Sequence, residues 1–290
     1  MADIEHTRME HAAHASTEQV IMLLHDPSPQ IIRALLSNQN LSEDHILVIA
    51  GRKNLPADIF TAIFRDNRWS ESYPIRRALA SNPKTPISVA LSIARYLRLF
   101  DLAEMARSPL TSLVFRHKVE SIIIERVPTM PLGYKKSLAK MASGNVLLRL
   151  LKDPNQEVIA LCLNNPRLLE SHLYSIISHD ETNAETIRTI ARHPIWSIRS
   201  LVRLALVRNK HTPSALSERF LHSMNTLELT GLSADTSLPK SIYPLISHEF
   251  LSRGVKPVNR IEDQVFEIDE NDDTGLENFS ETEINDTGEH

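Results

Sequence analysis

The chain has 290 residues, 23% of them charged and 42% apolar, enough to bury a core. Only 7 residues are glycine, about 2% against an average near 7%. Gly-rich phosphate loops, dinucleotide folds and hairpin-rich β architectures all need such residues at set points, so the scarcity speaks against them. The single cysteine, Cys162, removes an intrachain disulfide framework and a Cys-based zinc cluster. No apolar run reaches 18 residues, and the first residues, MADIEHTRMEHAAH, do not read as a secretory signal. The expectation is a cytoplasmic protein without a membrane partner. The net charge of −4 conceals a division: 12 of the 36 acidic residues lie between Ile261 and His290, where there is no Lys or Arg. The rest of the chain sets 24 acids against 32 bases, a net of +8.

In chain order, residues 1–15 are polar and His-rich with no sustained period, which predicts a flexible segment. Ser16-Thr17-Glu18-Gln19 reads as a capping box ahead of Val20, Ile21, Leu23 and Leu24. A pattern then recurs in Ile31-Ile32-Arg33-Ala34-Leu35-Leu36-Ser37-Asn38 and in Ile75-Arg76-Arg77-Ala78-Leu79-Ala80-Ser81-Asn82. It returns in Val158-Ile159-Ala160-Leu161-Cys162-Leu163-Asn164-Asn165 and after Ile198-Arg199, ending near Asn209. The four asparagines are spaced by 44, 83 and 44 residues, and Val127 occupies the Asn place in the long gap. The period is close to 42 residues. A weaker echo lies inside each period, as in Ala50-Gly51-Arg52-Lys53-Asn54-Leu55-Pro56 and Ala191-Arg192-His193-Pro194. Apolar residues between turns keep helical spacing, as in Ile87, Ala90, Leu91 and Ala94. Strand-like alternation is scarce. Near the C-terminus, Pro239 to Gly254 reads as a capping helix with Gly254 as its stop, and Pro244 marks either a kink or a later start. The acidic segment 255–290 is too poor in core-forming residues to offset its ordering entropy, so it is expected to be disordered.

Asp153-Pro154-Asn155-Gln156-Glu157-Val158 resembles the inter-helix turn of HEAT repeats. Ile75 through Pro86, IRRALASNPKTP, resembles the leucine-rich-repeat variant, a bacterial α-solenoid repeat. The likeness spans residues 20–216; it is strongest at 73–96 and poorest at 97–150. It implies a curved stack of short helices and a protein-binding surface, not a reaction. The iron–sulfur cysteines found beside some such arrays have no counterpart here, and the acidic and aromatic groove residues of HEAT-like DNA glycosylases are not identifiable. The predicted fold is all-α: a right-handed α-solenoid of about five stacked helical-hairpin repeats over residues 16–254.

Arg33, Arg76 and Arg199, each following a β-branched residue, are expected to form an internal ladder, with Asp26 beside Arg33. Where Ile159 interrupts that series, Asp153 is expected to turn to another partner. Arg77, Arg95, Arg98, Lys135, Lys136, Arg203 and Arg208 are the candidates for contact with a partner. No nucleophile–base pair, cofactor motif or metal-ligand set can be assembled. His248-Glu249 lacks the second His of a zinc-protease helix, and Gly231-Leu232-Ser233-Ala234-Asp235 lacks the last Gly of a nucleophile elbow. Cys162, Trp69 and Trp196 read as packing residues. The functional expectation is a non-enzymatic scaffold that binds another protein on its concave surface. The alternative is a nucleic-acid-binding solenoid restrained by its acidic tail, although aromatic residues at 5% leave few stacking platforms.

Overall fold

A computed structural model describes residues 2–179 and 181–255, with side chains from residue 5 onward; the acidic run 261–290 lies outside the described residues. Among them there are 18 α-helices and no strand. The first five are α1 (Ala2–Ala13), α2 (Thr17–Leu23), α3 (Pro29–Leu36), α4 (Glu43–Gly51) and α5 (Ala57–Arg65). Next come α6 (Tyr73–Ser81), α7 (Ile87–Ala94), α8 (Leu99–Arg107) and α9 (Leu113–Arg126), the last prolonged by a 3-10 turn at Val127–Thr129. Then follow α10 (Leu132–Met141), α11 (Gly144–Leu150), α12 (Gln156–Leu163), α13 (Glu170–Ile177) and α14 (Ala184–Arg192). The series closes with α15 (Ser200–Arg208), α16 (Ser214–His222), α17 (Thr226–Ser233) and α18 (Tyr243–Ser252).

Helices this short are marginal alone, so the start signals and the packing must hold them. Ser16, Ser42, Ser72 and Ser112 accept a backbone N–H from the first turn of the helix they precede, and Asn155, Asn183 and Asn225 do the same. Pro56, Pro86, Pro131 and Pro213 stand at N-cap positions, where a missing N–H costs nothing. The capping box at Ser16 and Gln19 is present. Pro244 sits in the first turn of α18, so the helix starts late rather than kinking. Its end is a Schellman turn: Gly254 has φ +69°, its N–H donates to Leu251 O, and Val255 N–H donates to Phe250 O.

Two departures from the sequence reading are structural findings. Residues 2–13 are helical, not frayed: α1 packs on α3, and Ala12 and Ala15 are buried. The apolar period was invisible there because the buried residues include alanines, which carry little hydrophobic signal. The second concerns the period. Between Asn38 and Asn82 lie α4, α5 and α6, and between Asn165 and Asn209 lie α13, α14 and α15. Each interval of 44 residues thus holds three helices, not the two of a helical hairpin. The turn at Arg52–Pro56 and the one after Arg192 are full breaks, each ending one helix and releasing the next.

Helices pack on their next-but-one neighbours. In the C-terminal two thirds, two interleaved series result: α7, α9, α11, α13 and α15 in one, and α8, α10, α12 and α14 in the other. Their apolar faces join one core running from Ala12 to Phe250, with Ile31, Phe60, Leu79, Leu147, Leu206 and Phe250 among its fully buried members.

Candidate functional site

The side chains that tie these helices together are mainly the asparagines, supported by a second set of arginines. Asn38 Nδ2 donates to the carbonyls of Ala12 and Ala15, at 2.9 and 3.0 Å. Asn82 donates to Ala50 and Arg52, Asn165 to Ala139, and Asn209 to Ile177. Each amide oxygen in turn accepts the N–H two residues on, at Asn40, Lys84, Arg167 and His211. One small side chain therefore shapes its own turn and satisfies orphan carbonyls near the end of the helix two places back. Where the asparagine is missing, arginines or other donors serve. Arg52 reaches Leu24 and Asp26, Arg68 reaches Leu36 and Asn38, Arg126 reaches Arg95 and Leu97, and Arg253 reaches Leu221, His222 and Met224. Trp196 Nε1 donates to Leu163 O, and Thr186 Oγ1 to Leu151 O.

The expected arginine ladder is placed differently. Arg33 pairs with Asp58 at 2.6 Å, while Asp26 takes Arg8. The N-terminal helix, unforeseen from sequence, supplies that competing cation. Arg76 meets the exposed Glu71 and stacks over the Tyr96 ring; Arg199 is exposed and makes no polar side-chain contact among the described residues. Asp153 turns to Lys135 at 2.8 Å.

Five of the seven bases assigned to a partner face a carboxylate of this chain. Arg77 binds Asp101 and Glu104, Lys135 binds Asp153, Lys136 binds Glu157, Arg203 binds Glu228, and Arg208 binds Asp235. Most of these pairs link a helix to the next but one, at a sequence separation too long for a helical period to reveal. Arg98 lies over the Tyr73 ring, whose hydroxyl bonds Asp101, and Arg95 is exposed. Asp235 is held down at about 2 by the Ser237 hydroxyl and by Arg208. Hydrogen bonds from Arg33 and Arg68 depress Asp58 and Asp66.

Arginines without such partners gather elsewhere. Arg107 at the end of α8, Arg116 on α9 and Arg167 in the turn before α13 line one cleft of about 410 Å³. None of their guanidinium groups has a hydrogen-bonding or ionic partner among the described residues, and the Nε atoms of Arg107 and Arg116 are buried without one. Ser143 adds a third orphan: it is 9% exposed, and its hydroxyl is buried without a partner. Unlike Ser16, Ser42, Ser72 and Ser112, it does not spend that hydroxyl on the helix it precedes. The one carboxylate in the cleft, Glu120, is already held by Asn145 at 2.8 Å and His117 at 3.2 Å. Gly144 also borders the cleft, and a Cβ there falls 2.3 Å from the His172 ring, so a larger residue would push that ring aside. That ring accepts Leu169 N–H through Nδ1, and burial depresses its basicity. The Asn165 amide, by accepting Arg167 N–H at 2.8 Å, fixes the turn that carries Arg167.

Sequence reading missed this cleft. Its residues come from α8, α9, the start of α11, the turn after α12 and α13, and no local motif joins them. The only sequence signal was the surplus of bases over acids outside the acidic run.

Exposed apolar residues recur at the N-terminal ends of one helix series, and two of them, Leu113 and Leu169, line the cleft. Leu113 and Val114 at the start of α9, Leu169 before α13, and Ile198 and Leu201 at the start of α15 are all more than half exposed. Ile87, first in α7, is 42% exposed. All belong to the N-terminal ends of helices in one series, α7 through α15. Exposed Leu or Ile residues are ordinary when scattered; these share the same end of successive helices in one series.

Cys162 is fully buried in the core, and burial pushes its thiol up to about 12, so it has no thiolate character at neutral pH. Glu249, from the His248-Glu249 pair, is buried and bonded to Arg253 and His222. Among the described residues no group of three or more His, Cys, Asp or Glu is placed to hold a metal ion. No helix among them is long and apolar enough to cross a membrane. Compared with protein-family models, curated proteins and solved structures, the chain matches none.

Proposed function

We propose that this chain is a right-handed α-solenoid of HEAT-like or leucine-rich-repeat-variant type, a non-enzymatic cytoplasmic scaffold that binds another protein. Its units are three-helix blocks of about 42 residues, so the 18 helices among the described residues make about six of them rather than the five expected from sequence. The observation that carries this reading is the apolar row formed by Ile87, Leu113, Val114, Leu169, Ile198 and Leu201 along one set of helix N-termini. A stack tied by side-chain-to-backbone bonds presents such a row already ordered, which lowers the entropic cost of association. The internal pairing of Arg77, Lys135, Lys136, Arg203 and Arg208 favours this reading over binding of nucleic acid through a basic surface.

The test uses a double variant, Leu113→Ser with Leu201→Ser. Both side chains are exposed, so helicity and thermal stability are expected to stay near wild type. A protein captured by the wild type and lost by the variant supports the proposal. A protein bound equally by both overturns it. So does micromolar binding of random-sequence DNA or RNA that collapses between two salt concentrations, the signature of counterion release.

A further inference from the structure

We propose that the cleft between α8, α9 and α13 binds a phosphate monoester, carried on a phosphorylated serine or threonine of the partner. The carrier rests on the docking reading above; the phosphate chemistry rests on the cleft alone.

The first argument is valence. Arg107, Arg116 and Arg167 all line one cleft, and none of their side chains is spent on a carboxylate. Arginine stays charged at every physiological pH and donates in a planar fork. A carboxylate brings only two oxygens and one charge to three guanidinium groups and leaves them under-neutralised. A monoester phosphate offers three oxygens and close to two negative charges at neutral pH, enough to engage all three. The second argument is net charge. Three arginines less Glu120 give +2 with neutral histidines, which matches a dianion. A nucleic-acid phosphodiester has one charge and two free oxygens, and it matches less well.

The third argument is the orphaned donors. Buried polar groups are nearly always paired in a native protein. Here Arg107 Nε, Arg116 Nε and the Ser143 hydroxyl are buried without partners, and all three residues line this cleft. Each is shut off from solvent in the free protein, so an oxyanion supplies the missing acceptor only as these side chains turn toward the cleft. The volume of about 410 Å³ equals roughly fourteen waters at ~30 Å³ each, room for a phosphorylated side chain and part of its backbone. Leu113 and Leu169 line the cleft and are exposed, so a residue flanking the phosphate meets apolar surface.

The experiment uses the full chain and two kinds of probe. O-phosphoserine and inorganic phosphate are titrated by calorimetry at constant ionic strength. A fluorescent phosphoserine peptide, with degenerate flanks rich in leucine, is compared by anisotropy with its serine counterpart. We expect saturable binding of both small probes and a phosphopeptide affinity at least ~10-fold above that of the serine peptide, as losing one charge-assisted contact predicts. Arg116→Gln and Arg167→Gln should each weaken all phosphate-bearing probes by ~10-fold or more, with far-UV circular dichroism unchanged. Arg199→Gln, which removes an exposed arginine outside the cleft, should have no effect. The proposal is overturned if the small probes do not bind, if Arg199→Gln weakens binding as much as Arg167→Gln, or if oligothymidylate competes equally at matched phosphate concentration. Phosphopeptide no tighter than O-phosphoserine overturns the protein-borne carrier. The docking reading fails separately, if Leu113→Ser with Leu201→Ser leaves phosphopeptide affinity unchanged while Arg167→Gln abolishes it.

Discussion

Replacing Asn82 with alanine tests what holds the helices in register. Its amide donates at 2.7 Å to Ala50 O and at 2.8 Å to Arg52 O, and its oxygen accepts Lys84 N–H at 2.9 Å. The residue is only 7% exposed, so water cannot easily replace these bonds. A typical bond contributes about 1 kcal/mol net, and a buried group left unpaired costs about 1–3 kcal/mol. Two donor bonds vanish together, and two carbonyls at the end of α4 lose their partner. The expected loss is about 2–4 kcal/mol. In a body of this size each kcal/mol shifts Tm by roughly 2–4 °C, so a fall of roughly 5–15 °C is predicted. Asn82→Asp sharpens the test, because it keeps the shape and the acceptor but turns a donor toward the two carbonyls into a charge. At pH 7 it should cost at least as much as alanine. Its carboxyl is then pushed above the unfolded value, so the charge penalty should shrink as pH falls through that raised value and be gone by about pH 4. Thermal and urea melts of both variants at pH 7 and pH 4 measure this. A Tm within 2 °C of wild type for Asn82→Ala would refute the claim that the asparagine bonds hold the stack.

Arg76→Ala should cost less than about 1 kcal/mol, because its carboxylate partner, Glu71, is 87% exposed. A larger loss in a urea melt would restore Arg76 to the internal ladder expected from sequence. For acid, the depressed carboxyls set the sign: a folded value below the unfolded one means stability present above the unfolded value and lost as pH falls through the folded one. Asp235, held at about 2 against an ordinary 3.8, should supply up to about 2 kcal/mol at neutral pH, lost between about pH 4 and pH 2. Asp235→Asn should therefore flatten the acid limb of a stability-against-pH curve; an unchanged limb would refute the assignment.

The helical content of residues 16–254 was legible because it is written in local rules. Serine and asparagine caps, prolines at first turns, and apolar residues at helical spacing each act within a few positions. The asparagine spacing was legible too, but its meaning was not. The ladder assigned to Arg33, Arg76 and Arg199 belongs mainly to Asn38, Asn82, Asn165 and Asn209, whose acceptors lie 23–32 residues away. A helix of twelve residues at the N-terminus went unseen because Ala12 and Ala15 bury little apolar area yet fit a close approach.

By itself the sequence determined that this chain is helical, where its turns fall, and that its bases outnumber its acids outside the acidic run. Which base meets which acid was decided only by tertiary structure. Arg77 and Arg208 are neutralised across the stack, whereas Arg107, Arg116 and Arg167 are left to share a cleft. The reason is range: capping and periodicity act over one or two turns of helix, while charge pairing depends on distances in space that the folded stack alone sets.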